Sequence, residues 1–186
     1  LASLETYVMG KEKLLEMLQW SRESDQMHFH GDGLQHFLRQ GWRIGLYRHD
    51  EYARIITNVA EYYEANMDML DPAKRAELFP RGVRYVATRA RSDVSTWYGD
   101  TAEVTDSLIA DGCRIEGRLE RCIVSSNVRI AKGATLRGCI ILNDTVIGPN
   151  VDLRCVISDK NVEAAPRIDL AGSERLPLVI PKGTRL

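Results

Sequence analysis

The sequence predicts a mainly β protein: a parallel β-helix of hexapeptide repeats over residues 101–186, preceded by a small α+β portion. Two repeats carry this reading. Ile130-Ala131-Lys132-Gly133-Ala134-Thr135 and Ile147-Gly148-Pro149-Asn150-Val151-Asp152 share an aliphatic, a small residue, two polar or turn residues and a small or branched residue. Each is followed by Leu-Arg and then by Cys139 or Cys155. A longer unit recurs at 122–130, 139–147 and 156–162, the first reading as the second with one residue dropped. Its matched valines are Val128, Val146 and Val162, so each lap takes roughly 15 to 18 residues.

Strands this short cannot bury an aliphatic every sixth residue within one lap. They can when laps stack ~4.8 Å apart and the Ile, Val and Leu columns meet inside. Asp111-Gly112, Lys132-Gly133, Asn143-Asp144 and Pro149-Asn150 supply the turns. A β-sandwich, the alternative, spaces its turns at ~8–12 residues.

The elements before the repeat follow from local signals. Tyr7-Val8-Met9 reads as a strand, and 11–22 as a helix carrying Leu14, Leu15 and Leu18. A helix over 33–40 takes Asp32 as N-cap and Gly41 at C′. Strands are expected at 42–47 and 52–57. Asn58 caps a third helix running through Met69, with Glu61 completing a capping box. Asp71 caps a last short helix that Pro72 opens and Leu78 ends. Residues 79–100 read as an extended connector against the coil. Beyond Val162 the laps become irregular, and 178–183 is expected as a strand covering the open end.

The 186 residues carry a formal net charge of −1 and are 44% hydrophobic, so no basic excess points to nucleic acid and no apolar run spans a membrane. The start, Leu1-Ala2-Ser3, has neither initiator Met nor signal pattern and reads as the middle of a longer protein. Cys113, Cys122, Cys139 and Cys155 lack metal spacing and read as small coil residues in a reducing compartment, with Cys139 and Cys155 at equivalent positions one lap apart. All four histidines precede the coil, which weighs against two alternatives, a hexapeptide acyltransferase with a coil-borne His as general base and a β-helical zinc enzyme with three His ligands. His28 and His30 read as loop residues, and Trp97-Tyr98 as packing at the coil entry.

Tyr62-Tyr63-Glu64-Ala65-Asn66-Met67-Asp68-Met69-Leu70 resembles the Y-W-E-A-N-M-D-L-L of the ADP-glucose pyrophosphorylases (glucose-1-phosphate adenylyltransferases). Phe29 to Leu34 resembles their F-G-x-D-I-I, Ser107 to Cys113 their S-L-V-S-E-G-C, and Val156 to Val162 their A-I-L-D-K-N-V. The resemblance implies a left-handed β-helix behind a Rossmann-like nucleotidyltransferase domain. Residues 1–78 would be the remnant of that domain, 79–100 the connector and 101–186 the β-helix. It also implies a place in glycogen biosynthesis, a cytoplasmic location, and partnership with a catalytic subunit of the family or with itself.

The departure from the family is as informative. Where catalytic members carry W-R-D-V-G-T, this chain reads Ala53-Arg54-Ile55-Ile56-Thr57-Asn58. Magnesium needs hard oxygen ligands, and Ile55 stands where the acid would be. The pattern resembles the regulatory, non-catalytic subunit type. A catalytic enzyme with its ligand shifted to Asp50 or Glu51 is the alternative. The family's Gly-rich nucleotide loop lies upstream of this chain, so the fragment alone is expected to catalyse nothing. No catalytic residue, metal ligand or cofactor is assigned here, and magnesium is expected only with a catalytic partner. The substrate-proximal candidates are Asp32 and Arg54. Arg81, Arg84, Arg89 and Arg91 are candidates for a phosphorylated-sugar effector, because Arg forks match phosphate oxygens.

Overall fold

The computed structural model describes residues 3–24, 29–80 and 93–186. The chain divides into two compact units, Leu1–Ala53 and Arg54–Leu186.

The first unit holds α1 (Lys11–Ser24), one π-type turn (Phe29–Gly33) and α2 (Leu34–Arg39). Among its described residues, Met17 and Phe37 are the buried apolar side chains. The Trp20 ring stacks on His36 at 4.4 Å and meets Phe37 edge-on at 5.6 Å, while Trp42 closes on Phe37 at 4.2 Å. Gly41, at φ +85°, ends α2: its N–H reaches the Leu38 carbonyl and the Trp42 N–H the Phe37 carbonyl. Two expectations need correction. Asp32 does not cap α2, because the π-type turn puts Gly33 at the N-cap with no side-chain bond. Residues 7–9, 42–47 and 52–57 are not strands but irregular backbone.

The second unit opens with α3 (Val59–Met67), continued by a 3₁₀ turn (Asp68–Leu70), and α4 (Pro72–Leu78). Asp71 caps α4 as expected, accepting from the Ala73 N–H. The chain then winds through five coils, placing three parallel five-stranded sheets around a common core. The first sheet stacks Trp97–Tyr98, Arg114–Ile115, Arg129–Ile130, Val146–Ile147 and Glu163–Ala164. The second stacks Glu103–Thr105, Arg118–Glu120, Thr135–Arg137, Asp152–Arg154 and Asp169–Ala171. The third stacks Leu108–Ile109, Ile123–Val124, Ile140–Ile141, Val156–Ser158 and Leu178–Ile180. The coil therefore begins at Trp97, inside the expected connector.

The interior is a set of in-register columns, as a hexapeptide pattern requires: Ile115, Ile130 and Ile147 on one side, Leu119, Leu136 and Leu153 on the second, Val124 and Ile141 on the third. Two matches made in sequence are shifted. Arg129 pairs with Val146, so the inward column is Val128, Thr145 and Val162, and Val146 points outward. Ile140 pairs with Ile157, so Cys139 stacks on Cys122 one coil before it and on Val156 one coil after, not on Cys155. Cys155 instead takes the corner position of Gly138 with φ +49°. The final strand expected within 178–183 is present. Leu178–Ile180 is the last rung of the third sheet, and Thr184–Leu186 bond back to Glu163 and Ala165.

The outer faces differ in chemistry. The second sheet presents charge, with Arg137 between Glu120 and Asp152, and Arg154 between Asp152 and Asp169, at 3.7 to 3.8 Å. The third presents Ile123, Ile140 and Ile157, and α3 covers the last two with Tyr62, Tyr63 and Met67. An apolar outer column needs such a cover, and a charged one does not.

One lap is short. Arg129 follows its partner Arg114 by fifteen residues, whereas Val146 follows Arg129 by seventeen. The two missing residues belong to the corner between the first and second sheets: Ile115-Glu116-Gly117-Arg118 stands where the next coil has Ile130-Ala131-Lys132-Gly133-Ala134-Thr135.

Candidate functional site

Residues 53–58 lead into α3. Arg54 donates from Nε to Asp68 at 2.8 Å and from Nη1 to Glu64 at 2.7 Å. The second Asp68 oxygen accepts from Lys74 Nζ at 2.6 Å, and that bond raises the Lys74 pKa. One turn of helix thus sets two acids under a guanidinium, and Arg54 is spent on fixing the segment to α3. Ile55 and Ile56 are 43% and 52% exposed.

Just beyond, Asn58 Oδ1 accepts the Glu61 N–H at 2.9 Å. Glu61 reaches back to the N–H and hydroxyl of Thr57, each at 2.7 Å, one residue earlier than the capping box places it. The Thr57 hydrogen bonds lower the Glu61 pKa. Ile56, Val59 and Tyr62 face Leu142, Ile157 and Val179 across an open apolar groove of about 510 Å³.

Tyr63 joins helix to coil. It is buried, and its phenol donates to the Gly138 carbonyl at 2.7 Å. Burial, then the neighbouring Cys155 thiol, raise its pKa, which keeps the proton on the donor. Inside the coil, burial raises the Cys139 thiol well above its usual range, and its Sγ meets the Leu153 carbonyl at 3.4 Å.

Asp32 lies exposed on the π-type turn of the first unit, and Arg54 belongs to the second. Arg81, Arg84, Arg89 and Arg91 fall outside the described residues. Trp97, expected to pack, is 49% exposed and carries the Arg114 guanidinium 4.6 Å above its ring. Sequence reasoning missed the Tyr63–Gly138 bond. Its one visible signal is a glycine, Gly138, at a coil corner.

By fold and repeat, the chain is a hexapeptide β-solenoid protein: residues 92–174 match the family model described as GlmU-like, C-terminal hexapeptide. Several relatives match over much more of its length. It is 37% identical over 138 residues to the glycogen biosynthesis protein GlgD of Bacillus subtilis (74% of this chain, 40% of that protein). It is 25% identical over 181 residues to the glucose-1-phosphate adenylyltransferase of Acetivibrio thermocellus (95% and 42%), and 28% identical to that of Desulfitobacterium hafniense strain DCB-2 (99% and 50%). The chain spans half or less of the length of these relatives. No helix among the described residues is long and apolar enough to cross a membrane.

Proposed function

We propose that this chain is the C-terminal part of a cytoplasmic subunit serving ADP-glucose formation in glycogen biosynthesis, in a regulatory and assembly role. Residues 1–78 would descend from a nucleotidyltransferase domain, and the β-helix, left-handed as in the family, would form the assembly module. One observation carries the reading: an isoleucine, Ile55, stands where the resemblance would place the family's metal-holding acid, and Arg54 beside it donates to Glu64 and Asp68. An isoleucine offers magnesium no ligand, so metal-assisted phosphoryl transfer lacks its charge neutralisation there. The likeness to a protein named glycogen biosynthesis protein GlgD supports the place in glycogen biosynthesis. Magnesium and turnover would belong to a catalytic partner of the same family, with Arg81, Arg84, Arg89 and Arg91 available to a phosphorylated sugar effector.

The test is ADP-glucose synthesis by the full-length parent, alone and mixed with a catalytic subunit. The expected outcome is negligible turnover alone and a changed rate or effector response in the mixture. The second reading, a catalytically active parent, draws on the relatives named glucose-1-phosphate adenylyltransferase. Robust magnesium-dependent turnover by the parent alone would establish it.

A further inference from the structure

The short corner of the second coil leaves a notch. In the later coils the corner residue of positive φ donates its N–H to the carbonyl of the corner before it: Asn150 to Lys132 at 3.4 Å, Arg167 to Pro149 at 3.1 Å. Gly133 occupies the same position with φ +79°, but the coil beneath it lacks the two residues that would offer that carbonyl. Among the described residues its N–H has no partner. Gly117 closes the shortened corner so tightly that an added Cβ would lie 2.6 Å from the Ala134 carbonyl oxygen, so the chain has no side chain with which to fill the gap.

What surrounds the gap is cationic and hydrogen-bonding. The open space is about 530 Å³, and Thr101, Glu103, Arg118, Lys132, Gly133, Thr135 and Asn150 line it. The Lys132 ammonium has no acid partner among the described residues. Arg118 has one ion pair, with Glu103 at 3.6 Å, beyond ordinary hydrogen-bond reach. Two cations against one acid, with the unpartnered Gly133 N–H in the same lining, make a net positive recess. Arg and Lys together with a backbone N–H match the several oxygens of a tetrahedral dianion better than the two of a carboxylate. The space is larger than one phosphoryl group, and the Thr101 and Thr135 hydroxyls and the Asn150 carboxamide suit a hydroxylated body attached to it.

We propose that this notch, formed by the two-residue shortening between Glu116 and Gly117, binds the phosphoryl group of a small phosphate monoester through Arg118, Lys132 and the Gly133 N–H. The site lies on the corner between the first and second sheets and makes no use of Arg54 or Ile55. It stands or falls independently of the glycogen reading.

Isothermal titration of the intact chain with inorganic phosphate and with glycerol 3-phosphate tests it, glycerol serving as the uncharged control. Both phosphates are expected to bind, the monoester at about 1 mM or tighter, and glycerol not at all. Replacing Lys132→Ala and Arg118→Ala together should weaken binding at least about tenfold, since each removes a charge-assisted bond. Inserting Pro-Asn between Glu116 and Gly117, to copy the corner at Pro149-Asn150, gives Gly133 its acceptor and fills the notch, and should abolish binding. No heat from wild type with either phosphate at 10-fold above that concentration would overturn the site. So would undiminished binding by the double variant, which needs no rebuilt corner and keeps the test decisive if the insertion disturbs folding.

Discussion

The phenol of Tyr63 donates a hydrogen bond of 2.7 Å to the carbonyl of Gly138, 75 residues further along the chain. Gly138 sits at a coil corner with φ +58°, and an added Cβ would come within 2.8 Å of that same phenol oxygen. A close approach and a left-handed conformation therefore meet in one glycine, and together they seat α3 on Ile140 and Ile157.

Tyr63→Phe keeps the ring and deletes the bond, leaving a carbonyl short of a donor, so it should cost about 1–2 kcal/mol in urea unfolding. Gly138→Ala should cost more, about 2–4 kcal/mol, because it adds a contact to the conformational strain. Combining the two should recover part of that loss, since removing the hydroxyl makes room for the methyl. Strict additivity would show that Tyr63 and Gly138 do not act on one another.

The coil was legible in sequence because the inside of a stacked tube tolerates only aliphatics at fixed spacing, and Ile130, Ile147, Leu136 and Leu153 stand where the hexads put them. Register failed where chemistry was ambiguous. Arg137-Gly138-Cys139 and Arg154-Cys155-Val156 invite alignment of the two cysteines, although the backbone turns at Gly138 and Cys155. The helices and the caps at Asn58 and Asp71 were legible because each is local. The strands expected at 42–47 and 52–57 were not testable locally, since alternation describes a residue's faces and says nothing of a partner. At the site, Ile55 was visible through the family resemblance, whereas the pairing of Arg54 with Asp68, fourteen residues on, needed the helix to be built.

Arg54 offers a contrast between two roles. As an anchor to Glu64 and Asp68 it stabilises, and the Asp68 side chain is only 12% exposed, so Arg54→Ala should cost about 1 kcal/mol and the loss should shrink in 1 M salt. A guanidinium held ready for a sugar phosphate would leave stability unchanged on removal. Chemical denaturation at two ionic strengths distinguishes them, and a null result would return Arg54 to the list of ligands.

Glu61 gives α3 an acid sensitivity of known sign. Its pKa is lowered in the folded chain from the ordinary value of 4.5 by the Thr57 hydrogen bonds. The stabilisation is therefore fully present above the unfolded value and is lost as pH falls through the lower, folded one. Glu61→Gln should flatten that part of the stability profile below pH ~4.5 while leaving the profile near neutrality parallel to wild type. An acid limb unchanged by the substitution would mean that the carboxylate contributes nothing to the start of α3.

The solenoid's stacked columns predict a gradient of cost along the coil axis. Leu136 is fully buried, with Leu119 below and Leu153 above it, whereas Leu170 ends the same column half-buried. Deleting a side chain between two rungs leaves a cavity that neighbours on both sides cannot collapse into. Leu136→Ala should therefore cost about 3–5 kcal/mol, in the upper range for buried leucines. At Leu170 part of the side chain already meets water and no rung lies above it, so the same change should cost about 1–2 kcal/mol. Because each coil contacts only its neighbours, the two losses should also differ in kind: the end variant should fray, with faster amide exchange confined to the last coils, while the central variant lowers protection on both sides of the gap. Equal costs and uniform exchange would mean that the five coils unfold as one indivisible unit.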